Sequence, residues 1–267
     1  MTTWEILAHR VEGDGEPVLI LNGGLMTYAA WAPVAERLAG SHRLVLNDLR
    51  GQLLSPGAAP SALAENVDDL TALLDHLEID SAHVLGTSYG GEVALFLAAL
   101  QPDRVRSLMA VTVMDYATES IWRGVEDLRL LVEGALAGAD KGRLHDRVVE
   151  EVYSASYRSR HAEELTERRR QVASLPDIWF EGLESIMAAM ENLDARPYLG
   201  AIRCPTLVVV AEKDEVIPPE RSFALAAAIA GAETRVHETS GHALVAEDPQ
   251  WLAEVCLEFL RRHAKAG

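Results

Sequence analysis

The chain has 267 residues, nearly half of them hydrophobic. That is enough for one large core, or for one core with an inserted lid. Its formal charge of −17, from 41 acidic and 24 basic residues, excludes the basic face that a nucleic-acid partner requires. No apolar run approaches the roughly 18 residues of a membrane span, so no membrane partner is expected.

The first ten residues show no basic region followed by an apolar stretch, so a cytoplasmic place without a secretory signal is expected. Cys204 and Cys256 lie far apart with no metal-ligand spacing. They are expected to be thiols with neither a disulfide nor a metal.

Residues 3–10 alternate loosely and predict an edge strand. Glu12–Pro17 is turn chemistry, and Val18–Leu21 is a short apolar run of the buried-strand kind. It ends in Asn22-Gly23-Gly24. Helical spacing over Ala32–Ala39 follows, then a buried strand at Leu44–Leu46 that ends at Asn47-Asp48. A polar loop, Arg50–Gly57, leads to an amphipathic helix over Ala62–Leu77. Val84 and Leu85 then lead into Gly86-Thr87-Ser88-Tyr89-Gly90-Gly91, with a helix over Gly91–Leu100 and a strand over Val105–Met114.

Strand and helix alternate through the first 115 residues, the pattern of a parallel α/β sheet whose ligands gather at the C-terminal strand ends. Asn22, Asp48, Ser88 and Asp115 all fall at such ends.

From residue 116 to about 195 no strand pattern appears. Helices are predicted at Glu119–Leu136, Gly142–Arg158, Ala162–Ser174 and Pro176–Asn192. They form an inserted helical cap whose aromatic and methionine residues mostly build its own core. Trp122, Trp179 and Met187, with Leu25 and Met26 after the first buried strand, are candidates for an apolar substrate pocket. The basic run Arg168–Arg170 sits among glutamates and reads as a solvated helix face. The sheet pattern returns at Pro205–Val210, followed by a loop to Pro218, a helix over Pro219–Ala230, a strand at Thr234–His237 and a final helix over Pro249–His263.

Gly-x-Ser-x-Gly between a strand and a helix marks a tight turn that exposes Ser88 at a helix N-terminus. A serine hydroxyl needs a base, and the base needs an orienting acid. Among nine histidines, His242 alone sits in a glycine-flanked loop just past a strand end. Asp214 follows the Leu207–Val210 run and is the expected acid, with Asp115 as its competitor. Oxyanion donors are expected from the backbone N–H groups of Tyr89 and Gly24, with Leu25 next in line.

These segments resemble the α/β-hydrolase superfamily over essentially the full chain. Val18–Trp31 is similar to its oxyanion loop, Asp48–Ser55 to its Asp-x-Arg-Gly loop, and Gly86–Gly91 to its nucleophile elbow. Val208–Asp214 and Gly241-His242, followed by Glu247-x-Pro249, are similar to its acid and histidine segments. Two positions depart: Asn22 stands where many relatives have histidine, and Gln52 where relatives often carry histidine. Asn22-Gly23 is also similar to hydroxyacyl carrier-protein transferases.

The resemblance implies an α/β fold with a mostly parallel eight-stranded sheet flanked by helices. It places the core at 1–115 and 196–267 and the cap at 116–195. It implies a serine esterase that acts on a small apolar acyl substrate without a cofactor, as a monomer or homodimer. Acyl transfer, carbon–carbon bond hydrolysis and ligand binding with little turnover stand as alternatives.

Overall fold

A computed structural model describes residues 6–55 and 57–264. Among them are seven strands: β1 (His9–Glu12), β2 (Glu16–Leu21), β3 (His42–Asn47), β4 (Ala82–Thr87), β5 (Val105–Val111), β6 (Thr206–Ala211) and β7 (Glu233–His237). They form one sheet in the order β1-β3-β2-β4-β5-β6-β7. Only β1 is antiparallel to its neighbour. The count is seven rather than the expected eight. The expected first strand begins at Thr3, and Thr3–Glu5 lie outside the described residues. The described part of it starts at His9 and runs on to Glu12, where only a turn was expected.

Helices α1 (Ala32–Leu38), α2 (Asn66–His76) and α3 (Tyr89–Leu100) come before β5. After it come α4 (Glu119–Leu136), α5 (Gly142–Val152), α6 (Ala155–Arg160), α7 (Ala162–Ala173) and α8 (Asp177–Met190). The last three are α9 (Pro219–Ala228), α10 (Leu244–Glu247) and α11 (Pro249–Arg262). None is long and apolar enough to cross a membrane among the described residues.

The central strands are apolar on both faces, as parallel strands covered on two sides must be. Leu19, Leu21 and Val84 pack beneath α2 and α3, while Val18, Ile20 and Leu85 pack against α1 and α11. His83 is buried within β4, where its ring bonds the Ser107 hydroxyl at 2.7 Å. Burial pushes it down to about 4, so it is a neutral structural group. Cys204 and Cys256 are both free thiols.

Two expected boundaries moved. β5 stops at Val111 rather than Met114 because Thr112 takes a left-handed backbone, φ +50°, and turns the chain out of the sheet. The helix expected over Gly142–Arg158 is two helices. Tyr153 is extended (φ −104°, ψ 139°), and Ser154 caps the second, its hydroxyl accepting from the Tyr157 N–H at 3.2 Å. The three arginines expected to face solvent are all ion-paired: Arg168 with Glu164, Arg169 with Asp140 and Asp146, and Arg170 with Glu167.

The five helices between β5 and β6 hold a small core of their own, with Val132, Leu144, Trp179, Phe180, Leu183 and Met187 buried together. Leu25 and Leu53, from loops at the strand ends, pack against it. Helix α8 crosses the loop after β3 so closely that a Cβ on Gly182 would lie 1.9 Å from the Gly51 carbonyl oxygen. The two ends of the insertion are tied together. Tyr116 bridges to Asp194, and the Ala195 N–H donates to the Asp115 carbonyl at 2.7 Å. The Tyr116 ring lies between the Arg196 and Arg221 guanidiniums, 3.9 and 4.0 Å from its centre.

Candidate active site

Ser88 sits between β4 and α3 at φ +49°, ψ −128°, a conformation that costs a non-glycine residue about 1–3 kcal/mol. The surrounding packing enforces it. A Cβ on Gly86 would come within 2.6 Å of the Gly90 carbonyl oxygen, and one on Gly90 within 2.4 Å of the Asn22 carbonyl oxygen. Strand, turn and helix therefore meet backbone to backbone, and the serine is raised out of the sheet at the start of α3.

His242 arrives on the loop after β7. Its Nε2 lies 2.9 Å from the Ser88 hydroxyl oxygen. Its Nδ1 lies 2.8 Å from Asp214 Oδ2. A carboxylate can only accept, so Nδ1 carries the proton and Nε2 accepts from the serine hydroxyl. Asp214 is buried just past β6. Its other oxygen accepts from the N–H groups of Val216 at 2.9 Å and Ile217 at 2.8 Å. Both carboxylate oxygens are thus held, one by its own loop and one by the imidazole.

Asp115, the competing acid, is engaged elsewhere. Its carboxylate pairs with Arg221 and accepts from the Tyr116 N–H. The early turn at Thr112 directs it to α9 rather than to His242.

Gly24 stands beside the start of α3. A Cβ built on it would lie 3.8 Å from the Tyr89 Cβ and 3.5 Å from Ile186 Cγ2. Neither the Gly24 nor the Tyr89 N–H donates to another backbone group among the described residues. Gly24 lies against Tyr89, the residue after Ser88, with Ile186 of α8 packed beside it.

Of the other predicted pocket residues, Leu25, Trp179 and Met187 join the insertion's own core, while Met26 packs on the opposite side with Val18 and Ile20. Trp122 is half-buried in the first turn of α4.

The two departures from the family pattern turn out to be partners. The Asn22 amide reaches Asp48 Oδ1 at 2.9 Å and Gln52 Oε1 at 3.2 Å. Gln52 donates onward to the Gly23 carbonyl at 2.8 Å, so this side chain holds the loop that presents the Gly24 N–H. Asp48 also accepts from the Tyr28 and Leu54 N–H groups. Burial raises its carboxyl above the usual carboxylate range, and the Tyr28, Leu54 and Asn22 donors offset that only in part. Asp48 therefore frames the loop and does not touch Ser88 or His242.

Glu92, one turn into α3, was not singled out from the sequence. It is fully buried, and its carboxyl oxygens make no hydrogen bond of ordinary geometry among the described residues. Burial pushes it up to about 8, partly offset by the Met114 backbone. It is therefore a neutral acid at pH 7.

No group of acidic, histidine or cysteine side chains among the described residues has metal-binding geometry. A hydroxyl bonded to an imidazole with a carboxylate behind it is suited to acyl transfer.

The chain is similar to a Serratia proteamaculans protein provisionally named a carbamate hydrolase, with 28% identity over 94% of this chain and 93% of that one. It is 29% identical to 2-hydroxymuconate semialdehyde hydrolase of Pseudomonas sp. strain CF600, over 93% of this chain and 88% of that one. A solved thermophilic esterase from Thermogutta terrifontis superposes with a TM-score of 0.83 at 27% identity, covering 97% of this chain and 94% of that one. The family model for the alpha/beta hydrolase fold matches residues 16–249, and with the sheet order and elbow already described this places the chain in the α/β-hydrolase family.

Proposed function

We propose that the protein hydrolyses a carboxylic ester, or a related acyl bond, of a small and largely apolar substrate through an acyl-enzyme on Ser88. The observation that carries this reading is the continuous hydrogen-bonded line from Ser88 through His242 to Asp214, at 2.9 and 2.8 Å. In the first step the Ser88 oxygen attacks the substrate carbonyl and its proton passes to His242 Nε2. Asp214 holds the tautomer and stabilises the imidazolium. The carbonyl oxygen, now an anion, is received by the N–H groups of Gly24 and Tyr89.

Collapse expels the alcohol, which takes the proton from His242. Water then gives a proton to His242 and adds to the acyl carbon; His242 returns that proton to the Ser88 oxygen as the carbon–serine bond breaks, which releases the acid and restores the serine. The reaction draws only on these groups and water. Helices α4–α8 act in this reading as a cap over the strand ends, with Ile186 packed beside Gly24.

Ser88→Ala tests the proposal. Turnover of short p-nitrophenyl esters should fall by at least about 10³-fold, as loss of the attacking group does in comparable triads. A fluorophosphonate should label the parent at Ser88 and leave the variant unlabelled. An alanine variant with parental turnover refutes it.

A second reading, hydrolysis of a carbon–carbon bond in a ring-cleavage product, is favoured by the likeness to 2-hydroxymuconate semialdehyde hydrolase. It uses the same residues. A substrate panel of esters, lactones and ring-cleavage diketones separates the two by kcat/KM.

A further inference from the structure

The loop that bears His242 is fastened to the helical insertion by one carboxylate. Where α5 ends, the Ser154 N–H donates to Glu247 Oε1 at 2.7 Å and the Ser154 hydroxyl donates to Oε2 at 2.6 Å. The N–H of Gly241, the residue before His242, donates to the same Oε1 at 3.0 Å. On the other side of His242, the Ala243 N–H donates to the Val152 carbonyl at 2.9 Å. Both neighbours of the histidine are therefore bonded into a seat built from α10 and the end of α5.

The backbones touch at this seat. A Cβ on Gly241 would lie 2.8 Å from the Ser154 nitrogen and 2.9 Å from the Val152 oxygen. Ser154 is buried. Glu247 is held in turn, because its own N–H donates to the Ala243 carbonyl at 2.9 Å.

We infer that Glu247, with Ser154, is a positioning site for His242, through which the insertion sets the approach of the imidazole to Ser88. The inference rests on the triad proposed above. The His242 ring must reach Ser88 and Asp214 at once, and it stands on a loop whose neighbouring N–H groups find their acceptors in Glu247 and in the insertion. An ångström of drift in a reacting group costs about 10²-fold in rate. Glu247 touches neither substrate nor ring, so its effect falls on kcat and not on KM.

The chemistry of the carboxylate supplies a control. In Glu247→Gln the amide oxygen keeps both N–H donors on one acceptor, and the amide nitrogen faces the Ser154 hydroxyl, which can accept as well as donate. Charge is lost while all three hydrogen bonds remain. In Glu247→Ala they are lost together.

The experiment measures p-nitrophenyl ester hydrolysis per active site titrated by a fluorophosphonate, so that misfolded molecules drop out. Glu247→Ala should lower kcat per titrated site about tenfold or more with KM within about threefold, and Glu247→Gln should restore kcat to within about threefold of the parent. Parental kcat per site in Glu247→Ala overturns the inference, and so does a glutamine variant as impaired as the alanine one. If Glu247→Ala does not fold, Ser154→Ala decides: a fall in kcat per site supports the seat, and an unchanged kcat overturns it. Failure of the parent to label at Ser88 overturns the triad reading itself. An inactive Ser88→Ala beside a fully active Glu247→Ala overturns only this inference.

Discussion

Glu92 makes the stability of the protein depend on pH in a direction opposite to that of most carboxylates. Its carboxyl is completely buried and is raised from about 4.5 to about 8. Between these values the unfolded chain is ionised at this position and the folded chain is not, so the folded state binds more protons. Stability then falls as pH rises from 4.5 to 8 and levels off within about one pH unit beyond either end of that window. Well inside the window, each tenfold fall in proton concentration costs about 1.4 kcal/mol. Integrated from pH 5 to pH 7 for these two values, the loss is about 2.5 kcal/mol, with a further 1.4 kcal/mol or so by pH 9.

Glu92→Gln keeps the shape and removes the titration. Other ionisable groups are common to both chains and cancel in the difference. Urea unfolding of parent and variant at constant ionic strength should show the parent losing about 2.5 kcal/mol against Glu92→Gln between pH 5 and 7. A difference that stays flat over that range refutes the reasoning, because a buried neutral acid cannot be pH-silent there.

Three further outcomes follow from the geometry. Asp214→Asn should cut kcat by about 10³–10⁴-fold, as loss of the orienting carboxylate does in such triads, whereas Asp115→Asn should stay within a few-fold; steady-state ester kinetics on both variants checks this, and the reverse order makes Asp115 the acid. Gln52→Leu takes the acceptor from the Leu49 N–H, at about 1–3 kcal/mol, removes one of the donors that hold the Gly23 carbonyl, and should lower kcat about tenfold with little change in KM. Gly182→Ala forces a methyl group onto the Gly51 carbonyl oxygen and should lower the urea midpoint by the equivalent of about 1–3 kcal/mol; an unchanged midpoint means that α8 does not press on the Gly51 backbone.

The residues that the chain itself announces are those whose local chemistry has one structural solution. Gly86 and Gly90 bracket Ser88 because strand and helix backbones collide with any Cβ there. Asp214 follows an apolar run that ends abruptly in a polar loop, the mark of a strand end, and His242 stands in a glycine-flanked loop just past a short strand. The Glu119–Leu136 helix matched its expected bounds because Thr118 caps its start and its apolar positions recur at helical spacing throughout. By contrast, neither glycine nor proline marks the break between α5 and α6. The one local sign is Ser154, which caps α6; its bonds to Glu247, 93 residues away, are encoded by no local pattern. Thr112, which shortens β5, is hidden for a similar reason: a β-branched residue gives no warning of a left-handed backbone.

The same distinction explains why Asn22 and Gln52 read as two independent departures from the family pattern. Thirty residues separate them, and each looks like a lost histidine. In the folded chain the Gln52 oxygen accepts from Asn22 and its amide donates to the Gly23 carbonyl, one residue before the expected oxyanion donor. Amides can serve at both positions because the network needs a side chain that accepts at one end and donates at the other, which glutamine does at every pH. Histidine does so only as the neutral ring. Beyond the acid limb that a serine–histidine pair shows by nature, the amides at positions 22 and 52 add none of their own. A Gln52→His variant should add a second, separable acid limb to the pH–rate profile, and a profile unchanged by that substitution means that Gln52 does not hold the loop.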